Sequence, residues 1–383
     1  MDPHGQVCHN PDCPDRGQAG RGNISVHSHK EQRYRCRTCE RTFAATTATP
    51  FYRLRTAQEV VTIVLILLCH GCPLQAIVAA FGFDERTVAH WQARGGDHCR
   101  RVHEGLVQQG QVDLQHVQAD ELWVKLVAKR VWMALAMAAP SRLWLAGVIS
   151  VHRDGRLITA LAEQVRACAQ RWAFLLCVDG LASYVSAFQR VFRHPIRSGR
   201  RGRPRLVVEP GLLIAQVIKR YAQRRVMGVV HRVVRGTAEA VAAVLAHTGT
   251  GKVIHTAYIE RLNATFRSAL APLVRRGRAI AREVGTLSGG MYLVGCAYNF
   301  CWYHDSLRRP APADSPRKWQ ERTPAMAAGL TDHRWTMSEL LHYQVPPLPW
   351  APPKRHRQRR SKQVQVQVQV QEQAHLSTVV QPA

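Results

Sequence analysis

An uninterrupted apolar run in the middle of the chain ends at a carboxylate. Residues 174–178 contain no polar side chain, which predicts a strand buried on both faces. Asp179 follows this run directly, and Gly180 breaks the strand. In an open α/β sheet the site usually lies at the carboxyl ends of the strands. Asp179 is therefore the first candidate for chemistry, and its charge requires a partner.

The expected strand order brings a second carboxylate to Asp179. Three short strands are predicted between residues 115 and 151, followed by a helix over 157–172 and then the buried strand. A strand reached through a crossover helix most naturally lies parallel to the first strand. Asp120, in that first strand, would then approach Asp179. Glu121 is the alternative, because neighbouring strand residues face opposite sides and only one of the two can point into the site.

Two ionised carboxylates this close need to be neutralised. At a separation of about 4 Å they repel by about 4 kcal/mol for an effective dielectric constant of about 20. A proton or a cation relieves this repulsion, and in so basic a chain a lysine or arginine could supply the charge. Mg²⁺ is the other explanation, because it prefers oxygen ligands and keeps coordination positions for phosphate oxygens.

A third acid is hard to find in the following segment. Between residues 164 and 259 the only acidic residues are Asp179, Glu209 and Glu239. The last two fit a loop before proline and the first turn of a helix. Glu260 differs, because Glu260, Asn263 and Arg267 recur at helical spacing in AYIERLNATFR and share one face. That face could hold a metal and a phosphate, or it could be a solvated face with a salt bridge.

Four cysteines near the N-terminus have the spacing of a metal site. They form two pairs that bracket a short loop: Cys8 and Cys13, then Cys36 and Cys39. Four thiolates in two pairs can close a tetrahedral site, and a segment with so few apolar residues needs such a staple. The pattern predicts structural Zn²⁺, whereas free thiols in a flexible arm are the alternative. Three histidines could replace one ligand: His9, His27 and His29.

The charge balance indicates a polyanionic partner. The chain has 53 Lys+Arg against 26 Asp+Glu, a formal net charge of +27. Each neutralised phosphate releases counterions and adds affinity, so nucleic acid is the expected partner, with a ribosomal or membrane-surface role as the alternative. No apolar run reaches the roughly 18 residues of a membrane span, and no secretory signal is recognised. We therefore expect a cytoplasmic protein without a membrane partner.

Residues 56–94 predict a helix-turn-helix. Helices are expected over 60–68, 74–81 and 85–93, with Gly82 in a turn and Asp84 as an N-cap. The last helix would enter the major groove, although three packed helices without DNA give the same pattern. The candidate DNA contacts here are Arg86, Thr87, His90 and Arg94.

Two further segments are strongly biased in composition. RSGRRGRPR at 197–205 predicts a mobile loop whose Arg201 and Arg203 contact phosphates without sequence preference. From residue 346, prolines give way to a basic run and then to QVQVQVQV, which predicts a disordered tail.

Four motifs together resemble a known family. DELW around Asp120, VDGLASY at Asp179, YIERLNATFR at Glu260 and YNFCWYHDSLR at 298–308 are similar to the DDE transposases of bacterial insertion sequences. QRYRCRTCERTF and the predicted helix-turn-helix resemble the N-terminal part of the same family. The resemblance covers roughly residues 8–343. It implies an α/β fold with a ribonuclease H-like mixed sheet and flanking helices, preceded by a small zinc-ribbon module and an all-α helix-turn-helix.

The resemblance also implies an activity. Asp120, Asp179 and Glu260 would be the metal-binding triad, using Mg²⁺ or Mn²⁺ to cleave DNA at the ends of the element and to join the freed 3′-hydroxyl to target DNA. On the same helix face as Glu260, the amide of Asn263 and the guanidinium of Arg267 are the candidate DNA contacts. Two DNA ends must be brought together, so we expect a homodimer, associated with the bacterial nucleoid and without a small-molecule substrate.

The predicted units follow one another along the chain. They are a zinc-ribbon-like module at 1–52, a helix-turn-helix at 56–110, a catalytic domain at 115–310 with a basic insertion around 194–250, a helical extension at 311–345 and a tail at 346–383. Two other functions fit the sequence: a non-catalytic DNA-binding regulator and a stand-alone nuclease.

Overall fold

Three antiparallel strands organise the N-terminal segment of the protein, here in a computed structural model. The structure describes residues 1–126, 130–197, 202–223, 225–274, 283–312 and 315–350. The first strands are β1 (Ile24–Ser28), β2 (Arg33–Cys36) and β3 (Thr42–Ala44). Ile24 and Tyr34 are their main buried apolar side chains, and the rest of this small core consists of cysteines.

Three helices follow. They are α1 (Gln58–Cys69), α2 (Leu74–Phe81) and α3 (Glu85–Leu106). Asp84 caps α3, because its side chain accepts a hydrogen bond from the Arg86 amide at 2.9 Å. The predicted limits of α2 are confirmed, whereas α3 continues 13 residues beyond the predicted end at Ala93. It continues because its second half is buried at Gly95, Cys99 and Val102.

The centre of the protein is a six-stranded mixed sheet in the order β11-β10-β7-β4-β5-β6. Its strands are β4 (His116–Lys125), β5 (Arg130–Ala138), β6 (Leu143–Ser150), β7 (Phe174–Asp179), β10 (Leu212–Ala222) and β11 (Arg225–Arg235). β7 is parallel to β4 and β10 is parallel to β7, while the other neighbours are antiparallel. The predicted meander and the parallel return of β7 beside β4 are thus confirmed.

Helices flank this sheet. They are α4 (Gly155–Cys168), α5 (Ala182–Val191), α6 (Ala238–Thr248), α7 (Ala257–Ala269) and α8 (Val284–Cys296). Two hairpins and two short α-helices follow, β8 (Arg193–Ile196) with β9 (Arg205–Val208), β12 (Arg309–Pro310) with β13 (Trp319–Gln320), α9 (Pro324–Ala327) and α10 (Met337–His342). Single turns of 3₁₀ helix lie at Ala271–Leu273 and Asp305–Leu307, and α8 continues into a π-helical turn at Ala297–Cys301. α7 packs on the face of β4 that carries Asp120, whereas α5 packs on the face that carries Glu121.

One hydrophobic core extends across several of the predicted units. Its buried members run from Phe51 to Leu341 and include residues of α1, α3, the sheet, α8 and α10. α3 crosses α8 where Gly96 meets Gly289, and His98 of α3 contacts the Leu340 carbonyl oxygen at 2.9 Å. The predicted boundaries near residues 110 and 311 therefore fall inside a single core.

Within the described part of the chain, no helix has the length and apolar character needed to cross a membrane. The predicted tail begins at residue 346, and its residues 351–383 lie outside the described residues.

The α3–α8 crossing yields a stability prediction. A Cβ added at Gly96 would overlap the Gly289 backbone, so we expect Gly96→Ala to lower the free energy of unfolding by about 1–3 kcal/mol. Gly285→Ala is the matched control, because Gly285 lies in α8 with open space around it. This control should be neutral or stabilising by up to about 1 kcal/mol. Urea unfolding measures both, and equal effects of the two substitutions would contradict the close crossing.

Candidate functional site

The register of β4 and β7 brings Asp120 level with Asp179. The paired residues include His116 with Leu175 and Gln118 with Cys177. Two residues further along each parallel strand lie Asp120 and Asp179, at the carboxyl end of β7. Their carboxylate oxygens lie within 4.8 Å of each other, so the predicted approach of these two acids is confirmed.

Glu121 joins the same group, contrary to the prediction that only one of the two neighbouring acids could reach it. The carboxylate oxygens of Asp120, Glu121 and Asp179 all lie within 4.8 Å of one another. Strand alternation still holds, because Asp120 faces α7 and Glu121 faces α5. Both side chains can reach Asp179 because β4 and β7 are no longer paired beyond Gln118. We call these three residues the acidic centre.

A basic side chain neutralises two members of the acidic centre. The Arg153 guanidinium donates to Glu121, with Nε at 2.6 Å from Oε1, and lies 3.7 Å from Oδ2 of Asp179. It also stacks on Trp132 at 4.9 Å, which fixes its position. Tyr184 donates its hydroxyl to the other Glu121 oxygen at 2.7 Å. The competing explanation from the sequence, an arginine between the carboxylates, thus applies to this pair.

Asp120 is held differently. Its oxygens accept hydrogen bonds from the Asn263 side-chain amide at 2.8 Å and from the Glu121 backbone N–H at 2.9 Å. Among the described residues no basic side chain forms an ion pair with Asp120. Burial, and then the negative charges of Glu121, Asp179 and Glu260, raise the pKa of Asp120 to about 7. Asp120 is therefore the carboxylate with the greatest need for a proton or a metal ion.

Glu260 lies beside the acidic centre and outside the group of oxygens within 4.8 Å. On α7 it accepts hydrogen bonds from Lys219 at 2.7 Å and from the Thr256 hydroxyl at 3.0 Å. The predicted apolar face of this helix, with Leu262 and Phe266, is buried. Glu260 as a third metal ligand remains a prediction, and its salt bridge with Lys219 matches the alternative that the sequence left open.

Two amide side chains fix α7 against the sheet. Gln118, fully buried on β4, accepts hydrogen bonds from the backbone N–H groups of Tyr258 and Ile259 at 3.1 Å each. It thereby caps the N-terminus of α7 two residues before Asp120. Asn263, also buried, donates to Asp120, while its Oδ1 has no partner among the described residues. Gln118 was not among the predicted site residues, although a glutamine inside an apolar strand was a usable signal.

The donor set of the acidic centre fits a hard divalent cation. Three carboxylates converge, one of them has no basic partner in the described structure, and the buried Asn263 carbonyl oxygen beside them is unpaired. Oxygen ligands of this kind suit Mg²⁺ or Mn²⁺. The group formed by Asp120, Glu121 and Asp179 could therefore bind a metal ion.

The four N-terminal cysteines form a second candidate metal centre. The Sγ atoms of Cys8 and Cys39 are 3.7 Å apart, and those of Cys13 and Cys36 are 3.9 Å apart. Four sulfurs bound tetrahedrally at about 2.3 Å from zinc lie about 3.8 Å from one another. The cluster therefore has the dimensions of a structural zinc site.

The surroundings of the cysteines favour thiolates at one position in particular. Burial opposes ionisation of Cys39, but the Asn10 side chain and the Arg41 backbone N–H donate to its sulfur, and the net effect lowers its pKa to about 7. Burial raises the pKa of Cys8. Within the described residues the four sulfurs form the group by themselves, and none of the three alternative histidines belongs to it.

The predicted DNA contacts have different environments. Arg86 and His90 are exposed on the first turns of α3, and Thr87 is half-buried between them. The Arg94 guanidinium donates to the carbonyl oxygens of Pro50 and Tyr52 and so joins α3 to the preceding segment. A DNA contact by Arg94 remains a prediction beside this internal role.

The other predicted DNA contacts lie nearer the sheet. Arg203 is exposed before β9, whereas Arg201 lies outside the described residues. Arg267 is half-buried on α7, one turn beyond Asn263.

Zinc binding can be tested by chelation. We expect one zinc ion per chain by elemental analysis, with its loss exposing residues 1–52 to proteolysis, because their small core consists largely of cysteines. Cys36→Ser should abolish zinc binding. Cys72→Ser, a half-buried thiol outside the cluster, should retain it. Zinc content unchanged in Cys36→Ser would contradict the assignment.

The raised pKa of Asp120 yields a prediction about stability and pH. A carboxyl group whose pKa is about 7 in the folded protein and 3.8 ordinarily destabilises the fold increasingly as the pH rises between these values. Asp120→Asn removes this penalty, so its stability advantage over wild type should grow by about 2 kcal/mol between about pH 5 and pH 8.

Urea unfolding across this pH range measures the effect, and Mg²⁺ at pH 8 should stabilise wild type while leaving Asp120→Asn unchanged. Asp113→Asn, at an exposed carboxylate outside the acidic centre, controls for the substitution itself. A difference between wild type and Asp120→Asn that is independent of pH would refute the assignment.

No protein-family model matches the chain, and no curated protein is significantly similar to it. The geometry of the two metal centres and the basic composition of the chain are thus the observations on which a function has to rest.

Proposed function

We propose that this protein is a DNA transposase that binds the terminal inverted repeats of an insertion sequence and catalyses metal-dependent strand cleavage and strand transfer. The observation that carries the proposal is the acidic centre, which gathers three carboxylates at the carboxyl end of β7 in a chain with a net charge of +27. Carboxylates that hold metal ions beside a basic surface are the arrangement needed for chemistry on a phosphodiester.

The sheet supports a ribonuclease H-like fold. Read from its antiparallel edge, the order is β6-β5-β4-β7-β10, with three meandering strands followed by two parallel ones. This is the arrangement implied by the family resemblance, and it places Asp120 and Asp179 on adjacent central strands. The extra strand β11 extends the sheet beyond this pattern.

The side chains have separable roles in the proposed reaction. Asp120 and Asp179 would hold a divalent metal ion, which supplies Lewis acidity toward the scissile phosphate. Asn263 orients Asp120 through its 2.8 Å hydrogen bond. Glu260 is the proposed third ligand of the triad, and the position of Glu121 makes it the competing third ligand.

DNA recognition is assigned to the N-terminal part of the chain. The cysteine module and the exposed residues of α3, Arg86 and His90 with Thr87, would contact the terminal repeats in a helix-turn-helix arrangement. Arg203 and Arg267 would add phosphate contacts nearer the sheet. A homodimer would hold the two ends of the element together.

A non-catalytic DNA-binding regulator is the second candidate, and one observation favours it. Arg153 and Lys219 already neutralise Glu121, Asp179 and Glu260, as expected of a purely structural charge cluster. A stand-alone nuclease would fit the acidic centre but would leave the cysteine module and the first helices without a role.

Cleavage of a labelled terminal-repeat duplex in Mg²⁺ tests the proposal. We expect Asp120→Asn and Asp179→Asn each to lose more than about 100-fold in cleavage rate, because even residues that only support metal ligands cost 10–100-fold. Glu260→Gln and Glu121→Gln identify the third metal ligand. The ligand is the residue whose substitution lowers the cleavage rate as much as Asp120→Asn does. Glu163→Gln, exposed on α4, is the matched control.

DNA binding that persists without any nicking or joining by wild type would favour the regulator. Activity that survives Asp179→Asn would exclude the acidic centre as the catalytic site.

A further inference from the structure

The last two strands of the sheet continue past its catalytic edge as a two-stranded ribbon. β10 pairs with β7 only as far as Val217, which lies opposite Asp179. β10 then continues to Ala222, paired throughout with β11. Five further residues at about 3.3 Å each make a projection of roughly 17 Å. We call residues 218–222 and 225–230 the distal ribbon.

The base of this ribbon touches the candidate site. Lys219 forms its salt bridge with Glu260 at 2.7 Å, and the Gln216 side chain donates to the Asp179 backbone carbonyl oxygen at 3.0 Å. Whatever binds along the distal ribbon therefore lies next to the acidic centre.

The distal ribbon is exposed on both faces. β11 is an edge strand, and along it Val226, Val229 and Met227 are largely exposed, Met227 to 70%. Long apolar edge strands are normally covered or protected by charges that block pairing. This exposure indicates that the distal ribbon has a binding partner.

The charges of the ribbon identify the class of partner. No acidic residue occurs between Glu209 and Glu239. The same segment carries the basic residues Lys219, Arg220, Arg224, Arg225, Arg232 and Arg235. Arg232 and Arg235 bind Gln216 and the Glu209 carbonyl oxygen at the base of the ribbon. Arg220 and Arg225 are exposed in its distal part, and neither forms an ion pair within the described residues.

We propose that the distal ribbon is a DNA-binding arm that follows the duplex beside the scissile phosphate. A major groove about 12 Å wide admits a two-stranded ribbon, Arg220 and Arg225 meet phosphates, and Val226 and Met227 contact the groove. A second copy of the chain fits this edge less well. If two β11 strands paired antiparallel about Val230, Arg225 of each copy would lie opposite Arg235 of the other, and these like charges would repel. The assignment rests on the proposed function, since it takes the site to act on DNA.

The salt dependence of DNA binding tests this arm. Full-length protein is titrated with a long duplex at several salt concentrations, without divalent metal. The double variant Arg220→Ala/Arg225→Ala should bind more weakly, and the slope of log affinity against log salt concentration should fall by about 2. The double variant Arg171→Ala/Arg190→Ala, at exposed arginines outside the ribbon, removes the same charge and should keep the wild-type slope. Thermal unfolding of both variants should match wild type.

Three results separate the outcomes. Wild-type affinity and slope in the ribbon variant would overturn the DNA-binding arm and leave the proposed transposase standing. A dimer that dissociates in sedimentation of the ribbon variant, with the slope unchanged, would assign the ribbon to a second copy and also overturn the arm. A reduced slope together with absent cleavage by wild type would support the arm and contradict the transposase.

Discussion

The repulsion between carboxylates gathered at one sheet edge is the constraint on which the rest of the site depends. Each acid is stabilised in its own way. Arg153 serves Glu121 and Asp179, and Lys219 serves Glu260. Among the described residues Asp120 has hydrogen-bond partners and no ion pair, and burial together with its acidic neighbours raises its pKa to about 7. Arg153 and Lys219 thus pair with three of the four acids, and Asp120 is the carboxylate left without a basic partner among the described residues. Under the proposed function, Asp120 is the carboxylate that a bound metal ion would stabilise most.

Two side chains of β4, Gln118 and Asp120, hold α7 against the sheet through hydrogen bonds. Gln118 accepts from two amides at the first turn of the helix and donates to the His255 carbonyl oxygen at 2.9 Å. A helix N-terminus buried against a sheet has unsatisfied N–H groups, and a buried glutamine satisfies two of them at a fixed distance from the strand. Since Asp120 lies two residues further along the same strand face, this cap and the Asn263 hydrogen bond place Glu260 beside the acidic centre.

Short sequence patterns predicted the approach of Asp120 to Asp179. The unbroken apolar run before Asp179 and the crossover helix were enough to predict Asp120 beside it, because a buried strand and its parallel return through a crossover helix are both recognisable in a short segment. The position of Glu121 was predicted wrongly. Strand alternation gives the face from which its side chain starts, but β4 and β7 are not paired beyond Gln118, so this long side chain still reaches Asp179. The internal role of Arg94 was not predicted for a similar reason, because its partners are the backbone carbonyls of Pro50 and Tyr52, which no spacing rule identifies.

The acidic centre and the basic ribbon form one electrostatic unit. A carboxylate cluster repels phosphate, so a site of this kind acts on DNA only if fixed positive charges nearby outweigh that repulsion. Lys219 lies where the two meet, between Glu260 and the distal ribbon. Two unit charges about 4 Å apart interact by about 4 kcal/mol at an effective dielectric constant of about 20. The attraction within one ion pair therefore offsets the repulsion between one pair of carboxylates. Because the segment between Glu209 and Glu239 adds cations without a single acid, this edge of the sheet carries the positive charge that the proposed DNA substrate requires.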